Sequence, residues 1–446
     1  MPLPQTAPSQ AALSAEFVQL DAEQQVALLT EAYPLDDKDR YLPWDEIRYR
    51  TPPAGRSARL HWFGMAMARR ASARSLPLLG RGDQPFWYCN AQPVLAALNR
   101  LDQAQRAHIL ADETLMTNAA RRRWLQRGLI EESIQSSRLE GANTSRLLAR
   151  EMLHDGRPPR DKSERMIANN FAAMQTVEEW ATNGDSVDLE HILGLHQVVA
   201  TGTMHNENDA GRLQRPGEAR VYVVSASQEI VHRPPPADEL PERMQRITDF
   251  ADLDPDAEFV HPLVRAILLH FMIGYDHPFV DGNGRTARAL FYWSLLRSGW
   301  WLAPYLPISH FLLQAPAQYS RAYQHVTADN NDVTHFLLHQ LDIMDRAVEQ
   351  LGRDLQEEAA ATRDLLERLG ETGFSERQLA IIDAALEQPS RIFTIAQQQN
   401  EHRVSYWAAR ADLQNLTERG FLQRQRSGKK FVFRPAPDLL DRLGGS

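Results

Sequence analysis

A chain of 446 residues has room for two or three domains, and its 43% hydrophobic and 24% charged residues are ordinary for a globular protein in water. A net charge of −9 argues against coating of nucleic acid through bulk charge and leaves room for a local basic patch. One cysteine, Cys89, rules out disulfides within the chain, disfavours a cysteine-built zinc site and fits a reducing cytoplasm.

The N-terminus, Met1-Pro2-Leu3-Pro4-Gln5-Thr6, lacks the basic and apolar regions of a signal peptide, and no apolar run is long enough to span a bilayer. Residues 22–32 predict a short helix, and Tyr41 to Ile47 opens another element. Leu60, Phe63, Met67 and Ala71 recur at helical spacing over residues 56–74. The cluster Phe86-Trp87-Tyr88 reads as a loop anchor in the core rather than a binding surface. Residues 1–115 carry no evident chemistry and read as a helical accessory region concerned with target choice.

Arg121, Arg122 and Arg123 read as a solvated helix face. Further on, Ser136 and Glu140 stand four apart, on one face of a predicted helix over about 131–149. The Gly- and Pro-bearing stretch from His154 to Arg160 predicts a loop, followed by helices over 164–183 and 188–200. His196 falls on an apolar face near Leu193 and Leu195 and reads as a satisfied core histidine. Two β-prone runs, 221–224 and 229–232, flank a polar turn and predict a hairpin, after which a helix is expected over 237–252.

Leu263, Ile267, Leu268, Phe271 and Met272 then predict a buried helix that ends before Pro278, because the proline ring disfavours an α conformation at His277. A second helix follows, with Ala287, Leu290, Phe291 and Leu295 on one face. Between them lies His277-Pro278-Phe279-Val280-Asp281-Gly282-Asn283-Gly284-Arg285-Thr286-Ala287-Arg288. Gly282 and Gly284 allow a sharp turn and close approach to a ligand. Free N–H groups at the helix start favour an anion. Arg285 and Arg288, three apart on one face, oppose the helix dipole unless an anion sits there. Asp281 is a hard oxygen ligand of the kind Mg²⁺ uses between protein and nucleotide. His277 is the one side chain here able to take a proton near neutral pH.

These twelve residues resemble the Fic family signature, HxFx(D/E)GNGRxxR, at every defined position. The resemblance covers residues 121–350 and implies an all-helical Fic core with one β-hairpin flap. It also implies transfer of AMP from ATP to a protein hydroxyl, with Mg²⁺ as cofactor. His277 would be the base, Asp281 the Mg²⁺ ligand, and backbone N–H groups of Gly282, Asn283 and Gly284 the phosphate cradle. Arg285 and Arg288 would neutralise the β- and γ-phosphates, and Phe279 would fix the loop in the core. Ser136-Ser137-Arg138-Leu139-Glu140-Gly141 resembles the family's inhibitory (S/T)xxxE(G/N) motif, which implies a Glu140–Arg288 ion pair in place of the γ-phosphate. The hairpin at 221–232 would be the flap that aligns a target segment by strand addition. Tyr323 and Asn330 would hold adenine and ribose, although many relatives carry two tyrosines where this chain has Ala322-Tyr323.

Residues 333–369 read as long charged helices leading to a tail. There Ser375 and Gln378 form a capping-box pattern, helices are expected over 375–387, 394–399 and 404–419, and Gly420 ends the last. Two short strands follow around Ser427-Gly428. The tail resembles a winged helix-turn-helix, basic at Arg424, Arg426, Lys429 and Lys430 on the wing and at Arg403 and Arg410 by the presumed recognition helix, beside the acids Glu401, Asp412 and Glu418. Contact with DNA and contact with protein are both open on that pattern.

The expected architecture is thus mainly α. An accessory region (1–115) precedes the Fic domain (116–350), a helical linker (351–372) and a winged-helix domain (373–438) of α+β type. The expected partner is a target protein, with no membrane, and a homodimer is compatible with the sequence. Three rivals to AMP transfer stay open: removal of AMP by the same site, kinase-like phosphate transfer, and a DNA-binding regulator with a Fic sensor core. Kinase-like relatives depart from the GNGR form that this chain keeps.

Overall fold

The computed structural model describes residues 3–106, 118–224, 230–254, 256–371, 373–387, 391–402, 404–427 and 430–439. The expected flap turn at 225–229, Arg403, Lys429 and the side chains of Arg121, Arg122, Arg123 and Lys430 lie outside the described residues. The described residues fall into two compact units, one within 1–107 and 127–348, the other within 108–126 and 349–446.

The first unit opens with α1 (Gln10–Val18), α2 (Ala22–Thr30), α3 (Trp44–Ile47) and α4 (Ala58–Ala71). A capping box starts α2: the Gln24 N–H donates to Asp21 Oδ1 at 2.8 Å, and the Asp21 N–H donates to Gln24 Oε1 at 3.3 Å. Leu13, Leu28, Trp44, Ile47, Trp62 and Phe63 close a small core beneath these helices. The helical reading of this region missed a hairpin. β1 (Ala73–Leu79) pairs antiparallel with β2 (Pro85–Cys89), around a turn in which Gly82 and Asp83 take positive φ. Phe86, Trp87 and Tyr88 lie on β2 and are all buried, the anchoring role expected of them.

Next come α5 (Gln92–Arg106), α6 (Asn118–Leu139), α7 (Arg146–Asp155), α8 (Lys162–Asn183) and α9 (Leu189–Ala200). The continuous helix expected over 131–149 is broken. α6 stops at Leu139 because Gly141, at φ 93°, turns the chain, and the Gly141 and Ala142 N–H groups fold back onto the Arg138 and Ser137 carbonyls at 3.0 Å. Glu140 therefore sits on the C-terminal turn of α6. α7 starts afresh at a Ser145 cap.

A short hairpin, β3 (Val223–Val224) with β4 (Ile230–His232), precedes α10 (Leu240–Ala251), α11 (Pro262–Asp276) and α12 (Asn283–Arg297). Twelve of the 15 residues in each of α11 and α12 are buried, so both helices are enclosed on all sides rather than amphipathic. α8 and α9 pack on α12, and α10 packs on α11. After α13 (Ile308–Gln314) and α14 (Pro316–Ala328), a single helix of 38 residues, α15 (Thr334–Glu371), takes the place of the several expected. None of the helices is long and apolar enough to cross a membrane, among the described residues.

The second unit contains α16 (Glu376–Glu387), α17 (Ile395–His402), α18 (Tyr406–Glu418) and an antiparallel pair, β5 (Leu422–Ser427) and β6 (Lys430–Pro435). The capping box forms: the Gln378 N–H donates to Ser375 Oγ at 3.3 Å and the Ser375 N–H to Gln378 Oε1 at 3.0 Å. Ile381, Ile382, Phe393, Leu413, Leu416 and Phe433 make its core. The fold is mainly α with three two-stranded sheets among the described residues.

Gly128 sets how closely α6 approaches the chain before α13. A Cβ there would strike the Pro304 carbonyl oxygen and lie 3.1 Å from Tyr305 Cα. Gly128→Val should therefore cost about 1–3 kcal/mol by overpacking, read as a lower denaturant midpoint. An unchanged midpoint would show that α6 can shift freely.

Candidate active site

Between α11 and α12 the chain runs through six residues, His277 to Gly282, of which Gly282 alone gives its carbonyl to the α12 ladder, accepting the Thr286 N–H at 3.0 Å. His277 ends α11 in the left-handed region, φ 46° and ψ 55°, with its N–H on the Ile273 carbonyl at 3.0 Å. A residue with a side chain holds that conformation only if its surroundings impose it. Here they do. His232 Nε2 lies 2.6 Å from the Tyr275 carbonyl, and Arg220 Nη2 donates to the Asp276 carbonyl at 2.7 Å. The Gln214 N–H donates to the Pro278 carbonyl at 2.9 Å. Asn283 braces Phe279 on both sides, accepting its N–H at 2.9 Å and donating to its carbonyl at 2.8 Å. Phe279 is fully buried, and the His196 ring stacks on it with centroids 3.7 Å apart.

His196 proves to be a core histidine with two partners. The Gly211 N–H donates to its Nδ1 at 3.0 Å, so the ring proton sits on Nε2 and points to the Asp281 carbonyl at 2.8 Å. Burial pushes its pKa down to about 4. His277 is also pushed down to about 4, by burial first and then by the neighbouring His232. Its imidazole is therefore neutral at pH 7, the form that can accept a proton.

α12 begins at Gly282, φ 85°, which caps it without a side chain and leaves the first N–H groups uncovered by their own cap. Glu140 comes to that end: a Cβ built on Gly284 would collide with Glu140 Oε1. The same carboxylate pairs with Arg288 Nη2 at 2.9 Å. Arg288 is buried, and it also donates to Ser136, with Nε to Oγ at 2.8 Å and Nη2 to the carbonyl at 3.0 Å. Arg285 is fully buried too. Its Nη1 donates to the Val199 carbonyl at 3.0 Å, its Nη2 stands 3.7 Å from Asp281, and neither Nε nor Nη2 has a hydrogen-bond partner. Asp281 keeps about half of its side chain exposed beside this cluster. Among the described residues no three acidic, His or Cys side chains gather into a metal site. A single carboxylate next to an anion-binding helix end nevertheless suits Mg²⁺ that arrives with a phosphate ligand.

His277, Asp281, Gly282, Asn283, Gly284, Arg285 and Arg288 thus stand together with Ser136 and Glu140. Tyr323 is packed between Phe271 and Phe336, at 5.1 and 4.5 Å between centroids, and its hydroxyl reaches the His270 carbonyl at 3.5 Å. Asn330 has φ 57° and an exposed side chain, while its carbonyl accepts from Trp87 Nε1 at 2.9 Å. Sequence reasoning passed over Glu132, which lies on α6 eight residues before Glu140. That buried carboxylate accepts from the Ser309 hydroxyl at 2.5 Å and N–H at 3.0 Å, and burial pushes its pKa up to about 7. Arg220, Gln214 and His232 were also missed, and no local pattern marks them.

Residues 186–295 match the sequence model of the Fic/DOC family. The chain is 36% identical over 115 residues to protein adenylyltransferase Fic of Nematostella vectensis, a stretch covering 26% of this chain and 24% of that protein. It is 27% identical over 221 residues to protein adenylyltransferase Fic of Drosophila willistoni, covering 47% of this chain and 42% of that one. The chain thus spans less than half the length of these curated relatives. Among solved structures, a Fic family protein from Desulfovibrio desulfuricans G20 aligns over 78% of this chain and 98% of its own, at 21% identity and a TM-score of 0.48.

Glu140→Gly would leave a buried guanidinium without its counter-charge. The variant should unfold at lower temperature than the parent in anion-free buffer. Inorganic phosphate at about 100 times its Kd should return about 2.7 kcal/mol to the variant, with a smaller shift in the parent. Equal phosphate shifts in both proteins would show that Glu140 does not occupy the anion site.

Proposed function

We propose that the Fic domain this chain carries transfers AMP from ATP to a Ser, Thr or Tyr hydroxyl of a target protein, with Glu140 competing for the phosphate site. The observation that carries the reading is the Glu140 carboxylate on buried Arg288, seated over Gly284 at the start of α12. A protein carboxylate at a helix N-terminus supports reading that position as one a ligand anion would take. The two partnerless donors of Arg285 add support, since a triphosphate would satisfy them.

In this mechanism the hydroxyl oxygen attacks the α-phosphorus while the bond to the β-phosphate oxygen breaks and pyrophosphate leaves. His277, neutral at working pH, takes the hydroxyl proton. N–H groups at Asn283 and Gly284 stabilise charge on phosphate oxygens, joined by that of Gly282 once it leaves Asp281 Oδ1, which accepts it at 2.6 Å. Arg285 and Arg288 hold the departing phosphates. Mg²⁺ carried in with ATP, and held by Asp281, would supply further charge neutralisation. Tyr323 and Asn330 are assigned the adenosine end, and the β3–β4 hairpin the target segment. The lone, buried Cys89 fits work in a reducing cytoplasm.

Labelled-AMP incorporation tests the assignment. Losing a charge-assisted competitor worth about 1.5–3 kcal/mol should raise transfer about 10- to 150-fold in Glu140→Gly. Adding Arg288→Ala should abolish it. His277→Ala in the Glu140→Gly background should lose about 10² to 10⁴ in rate. Because His277 titrates near 4, below its ordinary 6.5, it is already unprotonated over most of the usable range. kcat/KM should therefore stay level from about pH 8 to about pH 5 and fall below that. A Glu140→Gly variant that loses turnover, while the parent strips AMP from modified protein, would favour AMP removal instead.

For the tail, we infer contact with duplex DNA. Two acids that weigh against it are already paired within the unit: Asp412 with Arg377 at 2.8 Å and Glu401 with Arg391 at 2.9 Å. Arg424 and Arg426 are exposed on β5, and Tyr406 and Trp407 are exposed at the Ser405-capped start of α18. The full chain should bind duplex DNA with affinity that falls steeply with salt. Arg424→Ala with Arg426→Ala should reduce that slope by about 2. Absence of salt-sensitive binding at low ionic strength would make the unit a protein-contact module.

A further inference from the structure

His196 lies 85 positions before Asp281 in the chain and outside the 277–288 signature, yet it touches the phosphate loop in three ways. Its Nε2–H holds the Asp281 carbonyl, its ring lies flat on Phe279 with an interplanar angle of 4°, and its edge faces Gly282, where a Cβ would come 3.3 Å from Nε2 and 3.4 Å from Cδ2. On the far side, its Nδ1 accepts the Gly211 N–H. The ring has no exposed surface, so no water competes for these bonds. A donor is required on one nitrogen and an acceptor on the other, and among the side chains a neutral imidazole supplies both on a flat, stackable frame.

The Asp281 carbonyl and carboxylate share one backbone, and Gly282 is the N-cap of α12. Fixing the carbonyl fixes which way the carboxylate leaves the loop and how the first N–H groups of α12 are presented. We propose that His196 is a positioning residue of the phosphate loop, aiming Asp281 and the start of α12 through a single hydrogen bond. Its effect on catalysis rests on the adenylyl-transfer reading; its effect on the loop does not.

Two substitutions separate its two bonds. The amide of Asn reaches only the position of Nδ1, so His196→Asn keeps a partner for Gly211 and loses the bond to Asp281. The longer amide of Gln reaches the position of Nε2, so His196→Gln keeps the Asp281 bond. In the Glu140→Gly background, His196→Asn should lower kcat about 10- to 100-fold and raise the Mg²⁺ concentration for half-maximal rate, with a smaller change in KM for ATP. His196→Gln should recover most of both. In the nucleotide-free protein, amide exchange of the 278–285 peptide should quicken in the Asn variant and stay near the parent in the Gln variant.

The proposal is overturned if His196→Asn leaves exchange and kcat unchanged. It is equally overturned if both variants lose kcat in step with their melting temperatures, since His196 is then packing alone. If the Glu140→Gly background itself transfers no AMP, the proposed activity fails, and the exchange measurement by itself decides whether His196 holds the loop.

Discussion

The constraint on which the site depends is the accounting of backbone carbonyls between two buried helices. α11 and α12 are enclosed, so the turn joining them cannot leave its polar backbone to bulk water without cost. Tyr275, Asp276, Pro278, Phe279 and Asp281 each offer a carbonyl there, and each finds a donor: His232, Arg220, the Gln214 N–H, Asn283 and His196. Four of the five donors come from residues 196–232, a segment that precedes both helices. The left-handed His277 is thereby held in a conformation that costs of order 1 kcal/mol when unsupported. A loop held at these five carbonyls needs little rearrangement to present its side chains, which suits electrostatic stabilisation of a bound anion.

The charges follow from how two helix ends meet. α6 arrives with its C-terminal carbonyls, α12 departs with its N-terminal N–H groups, and Arg288 lies between them. The guanidinium takes the Ser136 carbonyl, one of the acceptors that the end of α6 leaves open, which suits a cation at a helix C-terminus. Burial of Arg288 then demands an anion, and Glu140 is placed to provide one because Gly141 turns the chain just beyond it. A carboxylate and a phosphate want the same donors, so on the reading proposed above the two would compete for the site. Glu132 adds a second, deeper carboxyl near Arg288, whose pKa burial raises to about 7, so that it is only partly ionised at pH 7. It cannot replace Glu140 as a full counter-charge without giving up its proton.

Local pattern carried much of this in the sequence. The motif at 277–288, the Ser375–Gln378 capping box and the break at Gly420 all depend on residues within a few positions of each other, and α11 stops where Pro278 demands. The β1–β2 hairpin was missed although Gly80-Arg81-Gly82-Asp83 is a turn signal, because the flanking runs alternate weakly and Pro77 argues against a strand. The stop of α6 at Leu139 was missed because a single glycine such as Gly141 is tolerated within a helical pattern and does not by itself signal a break. Arg220, Gln214 and His232 had no signal at all. A residue that serves a carbonyl 40 or more positions away looks, in the sequence, like any polar residue near a hairpin.

That last group has a mechanical consequence. Arg220 Nε holds the Pro235 carbonyl while its Nη2 holds Asp276, and His232 ends β4 while its Nε2 meets Tyr275. The hairpin is therefore tied at both of its bases to the residues just before His277. On the reading proposed above, a target strand added to the hairpin would load these two ties and stabilise the arrangement in which His277 is presented. Two bonds of ordinary strength could bias that arrangement by about 1–3 kcal/mol. A bias of that size changes a rate by about 5- to 150-fold, enough to favour a docked hydroxyl over one that only collides with the loop. Target selection and base placement would then share one set of hydrogen bonds, and neither could be altered without the other.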